Sequence, residues 1–92
     1  MTNTLNKVRE NELRRHGFCW AAEYIRRSME GRKPDLLIYA KGSRPIGGSA
    51  DECETAVDAF ICAIGYWVHS AVNGTILDAK SLNALAEHLY PK

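Results

Sequence analysis

A chain of 92 residues that is 46% hydrophobic and 9% aromatic is one domain, too apolar to be disordered and, at 25% charged residues, too charged to be fibrous. Its overall charge of +1 hides a split: residues 1–48 carry ten Lys/Arg against five acids, residues 49–92 two against six, so +5 faces −4. Halves of opposite sign fit either pairing within the fold or a partner that presents both signs, such as nucleic acid and the basic protein that holds it.

In chain order, residues 4–31 read as the first helix, with Gly17 as a bend or break. A straight helix would set Arg14 inside an apolar face, and a change of direction near His16 and Gly17 removes that conflict. Beyond it, Phe18, Ala21, Ala22, Ile25 and Met29 form an apolar stripe that Gly31 closes. Residues 36–48 follow. LLIYA is short and β-rich, KGSR has turn chemistry, and PIGG suits a short returning edge strand, so a small β-hairpin is expected. A one-turn helix followed by a loop is the alternative.

Ser49-Ala50-Asp51-Glu52 is a capping box, with Asp51, Glu52 and Glu54 suited to the positive end of a helix dipole. Cys53, Val57, Phe60, Ile61, Ile64, Trp67, Val68 and Ala71 then recur at helical spacing. No residue of 59–68 is charged, so this central helix is expected to be wrapped on most sides, with Phe60 and Ile64 near-fully buried. Asn73-Gly74 ends it, and residues 78–90 form a last helix that turns Leu82, Leu85, Ala86 and Leu89 toward the core. The expected fold class is mainly α with a small β part: bent N-terminal helix, short hairpin, long buried central helix, C-terminal helix.

The opening MTNTLNKVRE has no apolar core of a secretion signal, and the apolar run ends at Val68, short of the ~20 residues of a membrane span. The expectation is a cytoplasmic protein without membrane contact. Three cysteines, Cys19, Cys53 and Cys62, suit reduced thiols rather than a disulfide framework. His16 and Cys19 lie one helical turn apart, but Cys53 and Cys62 fall on opposite faces of one helix and no C-x-x-C occurs, so no metal site is expected. The glycine-rich stretch before Ser49 lacks Walker or dinucleotide spacing, and the acids after it already occupy the helix N-terminus. Nucleophilic catalysis needs a thiol or hydroxyl near a His with an orienting acid, and the Cys19/His16 and Cys62/His69 pairs sit in stretches whose spacing already explains them as packing or surface positions. No catalytic residue, cofactor or small-molecule substrate is therefore assigned.

One surface does carry a functional signal. Trp20, Tyr24 and Arg27 fall at i, i+4 and i+7, off the Phe18/Ile25 stripe, and Arg14, Arg15, Arg26, Arg32, Lys33, Lys41 and Arg44 could surround them. Aromatics interleaved with arginine suit stacking on unpaired bases and neutralising phosphates. The competing reading makes Trp20 and Tyr24 core residues and pairs Arg27 with Glu23 and Glu30.

From MTNTLNKVRENELRRHGFCW through SADECETAVDAFICAIGYWVHS, the chain resembles phage-encoded anti-CRISPR proteins of the type I-F class. That class shares no motif, and the resemblance assigns no residue. It implies a protein that binds the RNA-guided surveillance complex in the bacterial cytoplasm, touching its subunits and crRNA, and blocks target DNA. A positively charged guide-RNA channel offers both signs at once. The alternatives are a small phage or plasmid nucleic-acid-binding regulator, and an adaptor that dimerises through Trp67 or the C-terminal helix.

Overall fold

A computed structural model describes residues 6–92 as four helices, with no strand among the described residues: α1 Lys7–Met29, α2 Leu36–Gly42, α3 Ala50–Val72 and α4 Ala79–Leu89. The first two positions of the expected 4–31 helix lie outside the described residues. Each helix starts on a side-chain oxygen that accepts otherwise orphaned amides. Asn6 caps α1 through Arg9 N at 2.8 Å, and Asp78 caps α4 through Ser81 N at 2.8 Å. The Ser49–Glu52 capping box forms as the sequence indicates: Ser49 Oγ accepts from Glu52 N, and Ser49 N donates to Glu52 Oε1.

The hairpin is absent, and α2 stands in its place. Asp35 Oδ1 accepts from Leu37 N at 2.9 Å and from Ile38 N at 3.3 Å, which starts a helix immediately after Pro34. The geometry of the side chains shows why helix wins. Tyr39, Ala40 and Ser43 turn inward together, whereas a strand would send Tyr39 and Ala40 to opposite sides. A loop of residues 43–49 then leads to α3, so the order of the alternative reading holds, although α2 at seven residues is longer than the one turn it expected.

No break occurs at Gly17, because α1 runs unbroken from Lys7 to Met29. Gly17 is buried instead against α3: a Cβ there would lie 2.4 Å from the Ala56 carbonyl oxygen and 2.9 Å from Ala59 Cβ. Its function is close helix approach. Arg14 needs no bend either, since it bonds Glu10 at 3.0 Å and lies 5.9 Å from the centroid of the Tyr90 ring. Helix α4 packs on α1, and Asn11 and Arg15 donate to the carbonyls of Pro91 and Tyr90, which ties the C-terminal segment down.

The core joins Phe18, Ala21, Ala22 and Ile25 of α1 to Ala59, Phe60 and Ala63 of α3 and to Leu82 and Ala86 of α4. Met29, expected in the α1 stripe, is exposed. More important, α3 is not wrapped. Ala56, Ala59, Phe60 and Ala63 are its buried residues, Ile64 is half-buried, and Ile61, Val68 and Val72 are 59%, 51% and 80% exposed. Helix α3 packs chiefly on α1 and to a lesser extent on the seven-residue α2, while α4 packs on α1, so too little chain is left to enclose a 23-residue helix. By length and composition alone, α3 also meets the requirement for a membrane span, although its apolar run is shorter than the helix.

Acid sensitivity follows from the helix-surface pairs. Hydrogen bonds from Arg26 and Arg27 hold the Glu23 carboxyl at about 2, below its ordinary 4.5. Arg9 lowers Glu52, and the Ser81 amide lowers Asp78. A depressed carboxyl stabilises the fold fully above its unfolded value, and that contribution disappears as pH falls through the folded value. The melting temperature should therefore fall modestly between about pH 4.5 and pH 2, with solvent screening limiting the effect at Glu23. A melting temperature unchanged across that window would show that these pairs add nothing to stability.

Candidate nucleic-acid interface

The ten side chains nominated from the sequence separate into two groups once folded. Those on α1 are largely engaged within the molecule. Arg14 bonds Glu10, Arg15 bonds the Tyr90 carbonyl, and Arg26 bridges Glu23 and Glu30. Arg27 bonds Glu23 at 2.8 Å. Helical spacing dictates the outcome for Arg14, Arg26 and Arg27, because residues three and four apart share a face and these arginines have acids at those offsets, whereas the Arg15 contact depends on the packing of the C-terminal segment.

The cations between α1 and α3 fare differently. Arg32 reaches Glu30 only at 3.8 Å, and Arg44 Nε donates to the Lys41 carbonyl rather than to an acid. Among the described residues, Lys33, Lys41 and Arg44 have no carboxylate within 4 Å. All three are exposed, and they flank α2 at both of its ends. Of the nominated cations, those that remain available therefore sit on this connection, not on the α1 face.

Trp20 and Tyr24 are half-buried and belong to a run of edge-to-face aromatic contacts. His16 meets Trp20 at 6.4 Å, Trp20 meets Tyr39 at 5.9 Å, Tyr39 meets Tyr24 at 5.8 Å, and Tyr24 meets Trp67 at 6.4 Å. This run seals α2 onto α1 and α3, with separations at which aromatic pairs attract. The Trp20 ring also lies against the Gly42 backbone, where a Cβ would come within 2.7 Å of it. Tyr39 recruits both residues to packing, and a strand reading of LLIYA concealed that partner.

Trp20 nevertheless keeps an edge toward a groove of about 440 Å3 between α1 and the α2–α3 loop. Arg9, Glu12 and His16 of α1 line it with Trp20, and Arg44 and the fully exposed Ile46 line it from the loop side. Arg9 is held in place by Glu12 at 2.6 Å and by Glu52 at 2.7 Å. The Arg9–Glu52 pair joins the basic half of the chain to the acidic half. Among the described residues it is the one ion pair to do so. Asp51, Glu54 and Asp58 remain exposed along α3. Most of the charge separation read from the sequence thus survives folding.

Arg9, His16 and Ile46 were not nominated from the sequence. Two signals were available: His16 lies beside the Trp20/Tyr24/Arg27 face by helical spacing, and Ile46 is an apolar residue between Pro45 and two glycines with no core stripe to join. Among the described residues, no three His, Cys, Asp or Glu side chains gather as a metal ion requires. Cys62 and His69 border one shallow hollow beside Tyr66, and no acid lines it. Cys19 and Cys62 are exposed thiols and Cys53 is partly buried, its Sγ 3.8 Å from the Gly48 carbonyl. The arrangement can hold an anionic, partly stacked ligand; it offers no aligned nucleophile and base.

No protein-family model, no curated protein and no solved structure matches this chain.

Proposed function

We propose that the protein acts by binding rather than by chemistry. In this reading it is a stoichiometric inhibitor that seats on a type I-F RNA-guided surveillance complex in the bacterial cytoplasm and blocks target DNA recognition. The crRNA backbone lies along the groove beside Arg44 and Trp20, with Lys33 and Lys41 contributing further phosphate contacts. The acidic face of α3 meets lysine-rich protein. One observation carries this reading: among the described residues, folding leaves Lys33, Lys41 and Arg44, all on the connection between α1 and α3, exposed with no carboxylate within 4 Å, while Asp51, Glu54 and Asp58 stay exposed on α3. A partner that holds RNA in a basic protein channel offers charges complementary to both.

Reversal of Arg14, Arg15, Arg26 and Arg27 would confound the test, because each engages an acid or a carbonyl of the fold. Among the described residues, the combined K33E, K41E and R44E variant breaks no ion pair, and the one hydrogen bond it loses is the exposed, local one from Arg44 Nε to the Lys41 carbonyl. It should melt close to the parent and bind the assembled complex at least about tenfold more weakly, with a salt slope smaller by up to about three. Equal affinities for parent and variant at low and high salt would remove this surface from the mechanism. Equally tight, salt-sensitive binding of parent protein to naked RNA or DNA would instead favour a free nucleic-acid regulator.

A further inference from the structure

The exposed side of α3 repeats apolar or small residues at positions 61, 65, 68 and 72, a spacing of four, three and four that reads the same from either end. Ile61, Val68 and Val72 are more than half exposed. Gly65 lies between them, and the fold gives it no explanation: a Cβ there would meet nothing within 4 Å. Glycine in the middle of an exposed helix is unfavourable compared with alanine, so its position needs a cause outside the monomer. In the same molecule Gly17 shows what such a residue does, since it lets α1 and α3 approach closely.

We propose that a second copy of this chain packs antiparallel against this face of α3, with the two-fold axis between residues 66 and 67. The palindromic spacing then sets Ile61 against Val72 of the second copy and Gly65 against its Val68, and the reciprocal pairs follow from symmetry. Each glycine receives a valine, the large-against-small packing that close helix pairs use. Beside Ile61, the groove between α2 and α3, about 220 Å3 lined by Leu36, Leu37, Ala40, Phe60, Ile61 and Ile64, takes the incoming Val72.

Charge excludes an anionic occupant and selects the direction, while the palindromic spacing is what singles out a second copy. From residue 45 to residue 79 the chain has no Lys or Arg, and α3 carries Asp51, Glu52, Glu54 and Asp58, so an anionic partner or anionic membrane is repelled here. A parallel pair would stack Glu54 on Glu54 and Asp58 on Asp58. The antiparallel register overlaps residues 61–72 and carries both acids past the end of the other helix. Twelve overlapped residues span only about 18 Å. The area is small for a permanent dimer, and association is expected to be reversible.

Sedimentation velocity from low-micromolar to near-millimolar protein tests this directly. The parent mass should rise with concentration from 10.3 kDa toward twice that value. V68D should stay at the single-chain mass with unchanged helical circular dichroism. G65A gives the sharper result: it should weaken self-association several-fold while raising the melting temperature of dilute protein, because alanine favours the helix but blocks the close approach. A parent mass of 10.3 kDa at every concentration overturns the proposal, even if the chain floats with neutral phosphatidylcholine vesicles, which would give this face to lipid. Self-association that G65A and V68D leave unchanged overturns it as well.

Discussion

Phe60→Ala should unfold a large fraction of the molecule at moderate temperature. Phe60 is 1% exposed and sits where α3 meets α1, in one cluster with Phe18, Ala21 and Ala63. Truncating such a ring removes its transfer free energy and leaves a cavity, together about 3–5 kcal/mol. Total stability for a domain of this size is on the order of 5–10 kcal/mol. The melting temperature should therefore fall by roughly 15 °C or more. Ile64→Ala should cost markedly less, because Ile64 is only half-buried. A Phe60→Ala melt within a few degrees of the parent, or a larger loss at Ile64, would show that the core lies elsewhere.

The contrast between those two residues also marks where sequence reasoning ends. Signals that act within one turn were legible: the Ser49–Glu52 capping box, the stops at Gly31 and Asn73-Gly74, and the Leu82/Ala86 face of α4 stand where the residue pattern puts them, although Leu89, expected on that face, is exposed. Signals that depend on how many neighbours a helix finds were not. An uncharged run implies burial on all sides only if enough other chain exists to cover it, and here Ile61 and Val68 stay open. The short LLIYA run suits strand and helix equally well by periodicity, and Asp35 as an N-cap after Pro34 was the local cue that separated them.

For the candidate interface the same distinction holds. The arginines of α1 were placed correctly on helix faces, yet their partners at three and four residues, Glu10, Glu23 and Glu30, neutralise most of them. Arg44 and Lys41 keep their charge because the connection they occupy has no acid at helical spacing after Asp35. Trp20 and Tyr24 are tied to Tyr39, nineteen and fifteen positions further along the chain, a contact that no local pattern announces.

Gly17→Ala should destabilise the protein by about 2 kcal/mol, against the direction that helix propensity alone dictates. In an exposed helix interior, replacing glycine with alanine gains about 0.5–1 kcal/mol. At position 17 the added methyl would sit 2.4 Å from the Ala56 carbonyl oxygen and 2.9 Å from Phe60 N. Both are backbone atoms of α3, so no side chain can rotate away. Normal contact requires α1 and α3 to separate by about 1 Å, which loosens Phe18, Ala21, Phe60 and Ala63 together. Overpacking of this kind costs about 1–3 kcal/mol, occasionally more, and it exceeds the propensity gain because the whole interface must shift. Gly17→Leu should not fold. Urea unfolding of dilute Gly17→Ala and Gly65→Ala side by side isolates the effect, since the substitution is chemically identical and only the surroundings differ. The first should lower the midpoint and the second should raise it. A stabilised Gly17→Ala would mean that α1 and α3 do not approach closely there, and would return Gly17 to the bend that its position in the sequence first implied.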